Sequence, residues 1–226
     1  MNTRIEIVRP ALPKAAYHVQ IQHEARYKSL GELSDVKGFG QLTLAAVQTL
    51  ASQDSPQGFR VVMRVGENGG QPAGEPLSLD LIGGEILRTG IRHLYDPTQP
   101  VKPTEVNEQT DSECVFDRII SGQIPVKPVL NEDGVFVFKP SQMLAAEHLL
   151  FVPTQHYRDI LGVTDQSFFG SLFAKVAQFA ERAEYAGGFI LESNNGPWGG
   201  QVVPHLHFHM RGGQKLESPF WQDWLA

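Results

Sequence analysis

The chain holds a single cysteine, Cys114, in 226 residues. One thiol excludes an intrachain disulfide framework and fits a reducing compartment. Long apolar runs are missing too, and nothing approaches the roughly 20 residues that a membrane-spanning helix needs. The start, Met1-Asn2-Thr3-Arg4-Ile5-Glu6-Ile7, lacks the basic and then apolar pattern of a secretory leader. The expectation is a cytoplasmic chain with no membrane partner. Positive charge is also in short supply: 19 Lys and Arg stand against 25 Asp and Glu, a formal net charge of −6. That balance argues against broad electrostatic binding to a nucleic acid polymer. What remains is 41% hydrophobic and 19% charged. Such a chain can bury a core, as one large domain or two small ones.

Against this plain background one stretch stands out, Pro204-His205-Leu206-His207-Phe208-His209-Met210-Arg211-Gly212-Gly213. In an extended strand, residues two apart point to the same face. His205, His207 and His209 would then form a row of imidazoles, with Leu206 and Phe208 buried behind. Three charged rings side by side would repel, so some must be neutral at pH 7. Poised neutral imidazoles suit nucleophilic catalysis or metal binding.

Periodicity places the other elements. Thr3 to Arg9 and Tyr17 to Gln22 alternate as strands, and Phe59 to Val65 and Leu77 to Leu81 do the same. Asp35 caps a helix whose predicted stripe is Val36, Phe39, Leu42, Ala46 and Leu50. Residues 88–112, rich in Pro, Thr, Gln and Glu, read as a linker. Beyond it come a short helix from Cys114 to Ile120 and strands at Val135 to Phe138 and His148 to Val152. A helix from Thr164 or Asp165 follows, with Phe169, Leu172, Phe173, Val176 and Ala180 inward, and Gly187-Gly188 is expected to stop it. A strand from Phe189 to Ser193, a glycine-rich loop from Asn194 to Gln201 and a last strand from His205 to Arg211 complete the chain.

The two halves match. An offset of 130 residues pairs His18 with His148, Tyr27 with Tyr157, Asp35 with Asp165, Phe39 with Phe169, Gly40 with Gly170 and Leu42 with Leu172. It also pairs Phe59 with Phe189 and Gly69-Gly70-Gln71 with Gly199-Gly200-Gln201. One residue of slip then brings Gly83-Gly84 over Gly212-Gly213. Helix amphipathicity alone would not reproduce the glycines, so the match reads as an internal duplication. Its chemistry is unequal: Pro76, Ser78 and Asp80 stand where the second half has His205, His207 and His209. The first half reads as scaffold and the second as the working unit.

The His-Leu-His-Phe-His run, with Asn194-Asn195-Gly196-Pro197 and Gly199-Gly200-Gln201 before it, resembles the histidine-triad (HIT) family of nucleotide hydrolases and transferases. The likeness covers about residues 113–214 and includes Cys114-Val115-Phe116, Ile119 to Pro125 and His148 to Pro153. It implies an α+β fold, an antiparallel sheet with one long helix, here duplicated in tandem as an intrachain pseudo-dimer. The expected units are 1–87 without a triad, the linker 88–112, and 113–226 with the active triad. The resemblance also implies covalent chemistry, with His207 attacking the α-phosphorus of a nucleotide and water resolving the nucleotidyl-histidine. His205 and His209 flank the nucleophile, and His148 joins from the adjacent strand. Asn194, Gly200, Gln201, Val202 and Val203 fall at the phosphate-binding positions. Val115, Phe116, Ile119, Ile124 and Phe138 match the base pocket, although plain core packing explains those five as well.

Three residues depart from the family pattern. Pro140 replaces the acidic residue that grips the ribose, and Val202 replaces a Ser or Thr hydroxyl that assists the leaving group. Asp117 replaces the second cysteine of the zinc-binding members, so neither metal nor other cofactor is expected. The implied partner is a small nucleotide, acted on by a chain that is a monomeric pseudo-dimer or a homodimer. The implied activity is hydrolysis of a phosphoester, phosphoanhydride or phosphoramidate. A non-catalytic nucleotide-binding or scaffold protein is the alternative, and so is a HIT-type nucleotidyltransferase, although such branches typically carry Gln at the place of His209.

Overall fold

The computed structural model describes residues 3–87 and 114–216. The expected linker, 88–112, and the last ten residues of the second unit lie outside the described residues. The first unit runs β1 (Ile5–Val8), β2 (Tyr17–His23), α1 (Val36–Asp54), β3 (Phe59–Val65) and β4 (Ser78–Gly83). The second runs α2 (Val115–Ile120), β5 (Leu130–Glu132), β6 (Val135–Phe138), β7 (Glu147–Pro153), α3 (Gln166–Ala180), β8 (Phe189–Asn195), the single turn α4 (Gly196–Gly199) and β9 (Phe208–Gly212).

The nine strands of the described residues form one antiparallel sheet in the order β1-β2-β4-β3-β8-β9-β7-β6-β5. The sequence repeat is therefore a repeat of pairings. Ile5 lies opposite His23, and Val135 opposite Pro153, each 130 residues on. Tyr17 faces Gly83 in one unit, and Glu147 faces Gly212 in the other. The units join through β3 and β8, where Val62 faces its own counterpart Glu192. Antiparallel pairing of counterpart strands is what an approximate twofold axis generates. The fold is the expected α+β duplication.

Sequence chemistry explains the local choices. The Asp35 carboxylate accepts the Gly38 N–H at the start of α1, and Asp165 accepts those of Ser167 and Phe168 at the start of α3. The two helices lie side by side on one face of the sheet, with the Phe39 and Phe173 rings edge to face at 6.2 Å. The Gln48 amide, on α1, donates to the carbonyls of Ile160 and Val163 at 3.0 and 2.7 Å. Gly40 and Gly170 mark the crossing. This second contact shifts the buried face of α1 to Phe39, Gly40, Thr43, Leu44, Val47 and Ala51. The predicted positions Val36, Leu42, Ala46 and Leu50 are only half-buried, because the helix must face both the sheet and α3.

Other boundaries also differ. Helix α3 ends at Ala180, not at Gly187-Gly188, and a 3-10 turn over Ala183–Tyr185 follows it. That turn buries Tyr185 beneath Gly212, where a Cβ would lie 2.5 Å from the Tyr185 ring. Strand β5 was not anticipated, although Asp133-Gly134 is a hairpin signal and both residues have positive φ, 50° and 76°. The final strand starts at Phe208 rather than His205. Ladder pairing with β7 ends at Phe151 and Phe208; ahead of it the Leu206 N–H donates to Tyr157 O at 2.6 Å and leads the chain off the sheet.

The repeated glycines have a steric cause. A Cβ on Gly199 would collide with the carbonyl of Phe59, and one on Gly69 with the carbonyl of Phe189. Each unit passes its glycine loop over the first residue of the other's central strand. Among the described residues, no helix is long and apolar enough to cross a membrane.

The helix crossing yields a test. At Gly170 a Cβ would sit 2.8 Å from Lys37 O, a backbone atom, whereas at Gly162 nothing lies within 4 Å. Gly170→Ala should destabilise the fold by about 1–3 kcal/mol and lower the thermal midpoint, with Gly162→Ala close to neutral. Equal midpoints for the two variants would contradict the close crossing.

Candidate active site

Away from the helices, the opposite face of the sheet gathers the histidines. His209 is on β9, opposite Leu150 on one side and Glu192 on the other. His148 enters from β7, two residues along from Leu150. Its Nδ1 accepts the Leu144 N–H at 3.2 Å, which puts the ring proton on Nε2. That Nε2–H donates to His209 Nδ1 at 2.9 Å, so a neutral His209 carries its own proton on Nε2.

The other two rings sit on the lead-in to β9. His207 Nδ1 donates to the carbonyl of His205 at 2.7 Å, leaving Nε2 with its lone pair. The ring is wedged edge to face between Phe116 at 5.1 Å and His209 at 5.0 Å. His205 is fully buried, and its Nε2 donates to Pro153 O at 2.9 Å. The three rings are therefore not an equivalent row. His207 and His209 adjoin, while His205 turns toward α2.

Burial is the first cause of low basicity at all four rings. It holds His148 at about 4, reinforced by the Arg211 guanidinium, and His205 at about 4 against a partial offset from Pro153 O and Asp117. His207 is lowered by burial, with the His205 carbonyl and Glu192 pulling the other way. His209 is pushed well down by burial and by its neighbours His207, His148 and Arg211. All four are neutral through the physiological range, and the sequence expectation of neutral rings holds.

The remaining expected residues sort clearly. Val115, Phe116, Ile119, Ile124 and Phe138 fall in one apolar cluster with Cys114, Phe136, Leu150, Val152 and Val203. Phe116 carries that cluster up to His207. Asn194 lies on β8 two residues past Glu192, and its Oδ1 is buried with no hydrogen-bond partner among the described residues. An orphaned buried amide oxygen is an acceptor in want of a donor, and a phosphate contact from Asn194 would fall to its Nδ2–H instead. Gly200 closes α4 in a left-handed conformation and is buried. Val202 is 63% exposed and Val203 partly buried.

Gln201 has a different task from the expected phosphate contact. Its Oε1 accepts Gly196 N–H at 2.8 Å and its Nε2 donates to Arg158 O at 2.6 Å. Gln71 makes the same two bonds to Gly66 and Lys28 in the first unit. The side chain braces the loop, and the unit without a triad needs that brace equally.

Sequence reasoning missed two features. Glu192 and Arg211 form a buried ion pair beside His209. Both were legible as charges that follow an apolar residue, Leu191 or Met210, on predicted strands. The second feature is a cluster that could hold a metal ion where none was expected. Cys114, Asp117, His156 and His205 bring one sulfur, one carboxylate and two imidazoles within 4.8 Å of one another. His205 Nδ1 is 3.5 Å from Cys114 Sγ and 3.3 Å from Asp117 Oδ1, and His156 Nδ1 is 2.7 Å from Asp117 Oδ2. The His205 Nε2–H bond to Pro153 O leaves Nδ1 unprotonated toward this cluster, the orientation a ligand histidine requires. Asp117 thus keeps a donor where the second cysteine is lost, and the set fits zinc.

Zinc there would serve structure, tying α2 to the segment that carries His205 and so to the carbonyl that orients His207. Purified chain should hold close to one zinc by elemental analysis. Chelation, or Asp117→Ala, should lower both zinc content and thermal midpoint. A zinc-free chain indifferent to chelator would contradict this.

The profile of the HIT domain matches residues 121–216. An uncharacterized HIT-like protein of Synechococcus elongatus is 33% identical over 109 residues, 47% of this chain and 96% of that protein. The adenylylsulfatase HINT1 of Arabidopsis thaliana is 33% identical over 118 residues, 49% of this chain and 78% of that protein. A solved uridylyltransferase superposes on 94% of this chain and 75% of its own, with a TM-score of 0.60 at 15% identity, a likeness of fold alone. With the HIT domain matched over 121–216 and relatives 33% identical along most of their own length, the chain belongs to the HIT family.

Proposed function

We propose that this chain is a nucleotide hydrolase working through a nucleotidyl-histidine on His207. The observation that carries the reading is the bond from His207 Nδ1 to His205 O, which leaves Nε2 as a neutral nucleophile. Its lone pair would attack the α-phosphorus, the bond to the leaving group breaks, and that group departs with the electron pair. The ring gains positive charge as the N–P bond forms, and the His205 carbonyl dipole faces it. Water then attacks phosphorus, the N–P bond breaks, and His207 returns to its neutral form with release of a nucleoside monophosphate and a proton.

Supporting roles follow from the tautomers. His209, its Nδ1 occupied by His148, has an Nε2–H to offer a phosphate oxygen. Asn194 can offer its amide to the same phosphate. The cluster around Phe116 supplies an apolar surface for a base. Exposed Val202 has no proton to give, so leaving groups of low basicity should be favoured over amines. Pro140 removes an anionic clamp, so discrimination between ribose and deoxyribose should be poor.

Residues 1–87 enter the same proposal as a unit without catalytic chemistry. Its counterpart of the His148–His209 relay is His18 donating to Asp80 Oδ1 at 3.0 Å. Burial alone would raise the Asp80 carboxyl, but His18, Arg64 and Gln20 outweigh it and hold the group below its usual range. An anion there would repel phosphate.

The test uses a nucleotide aryl ester as chromogenic substrate. His207→Asn should lose at least about a thousandfold in turnover with the thermal midpoint nearly unchanged. Quenched wild type should carry the nucleotidyl adduct on the peptide containing His207. An adduct elsewhere, or an active variant, would overturn the reading.

A further inference from the structure

The loop Gly196–Gly200 does not stand on its own unit alone. The Trp198 N–H donates to Gln57 O at 3.2 Å, and Trp198 O accepts the Leu87 N–H at 2.8 Å. Both bonds have counterparts on the other side of the axis: Asn68 N–H to Gly187 O, and Leu216 N–H to Asn68 O, each at 2.8 Å. The packing of Gly199 on Phe59 is matched by that of Gly69 on Phe189. These contacts belong to the shared architecture and say nothing about chemistry.

One contact breaks the symmetry. Arg60, on β3, donates from Nε to the carbonyl of Gly199 at 2.8 Å and from a terminal nitrogen to Leu87 O at 3.4 Å. The residue 130 positions on is Ile190, which can make neither bond. Arg60 is 6% exposed. Burying a guanidinium is costly, a cost that Glu192 offsets in part, and Ile190 fills the equivalent place with no charge to bury, so packing alone does not account for the arginine. Its place does: Arg60 lies directly opposite Asn194 in the β3–β8 ladder. It therefore pairs across the ladder with Asn194 of the candidate site while its side chain holds the loop that leads to Gly200, Val202 and Val203.

We infer that Arg60, supplied by the unit that lacks the triad, is a positioning residue for the phosphate-binding loop of the unit that has it. The inference rests on the reading of the site given under Proposed function. By holding Gly199 O, Arg60 fixes the plane of the Gly199–Gly200 peptide and the path of the chain past His207. The first unit thus contributes to the site through a specific side chain as well as through the sheet.

Full-length Arg60→Met and Arg60→Lys test this with two readouts. The first, amide hydrogen exchange, needs no turnover. Arg60→Met should speed exchange across 196–203 by about tenfold or more, the loss expected for a charge-assisted bond, and leave the counterpart loop 66–71 unchanged. Arg60→Lys should restore part of the protection. The second is kinetics with the nucleotide aryl ester, where Arg60→Met should lose about tenfold in kcat/KM, with a rise in KM, while the adduct still forms on His207. Unchanged exchange at 196–203, equal loosening of both loops, or a loosened loop with unaltered kinetics would each overturn the inference. Wild type with no nucleotide turnover would overturn the functional reading beneath it, whatever the exchange shows.

Discussion

The pairing of β3 with β8 is the constraint on which the rest depends. Seven residue pairs, from Phe59 opposite Asn195 to Val65 opposite Phe189, splice two half-sheets into one. Because counterpart strands meet antiparallel, every feature of one unit is carried across to a fixed place on the other. The helices meet at Gly40 and Gly170, and each glycine loop crosses the partner strand where only hydrogen fits. A change in register by one residue would turn Glu192 and Asn194 into the helix layer and remove them from the site.

Within that frame the two faces have different fates. The helix side is apolar in both units and tolerates little change, since Phe39, Phe169 and Phe173 fill it from both helices. The other side is free to diverge, and it has. One unit holds a relay of neutral imidazoles ending at His209; the other ends the same relay, from His18, at the Asp80 carboxylate. At the end of the relay an imidazole stands in one unit and a carboxylate in the other, and the other two triad positions differ as well, Pro76 and Ser78 standing opposite His205 and His207. Among the described residues, the cluster of Cys114, Asp117, His156 and His205 that could hold a metal ion likewise lies in the second unit.

Much of this was legible in the sequence for a physical reason: glycines at close crossings and aspartates at helix starts are local requirements, so they repeat with the fold. The 130-residue offset therefore matched equivalent residues of the two units, and equivalent residues hold equivalent places in the ladders. The extent of the last strand was not legible, because where a ladder ends depends on a competing partner, here Tyr157 O, distant in sequence. The same holds for the stripe of α1, rotated by a second helix, and for Gln201, whose bonds reach Arg158. Arg60 could not be found by reading motifs around the triad at all. It belongs to the other unit, and only the β3–β8 register brings it to Asn194.

The central claim is that two units of one fold build one reactive site per chain. Rapid quenching of wild type with an excess of radiolabelled nucleotide, before steady state, counts the covalent intermediate directly. The account predicts a burst approaching one nucleotide per chain, all of it on His207. A burst approaching two per chain, or label on the first unit, would contradict it.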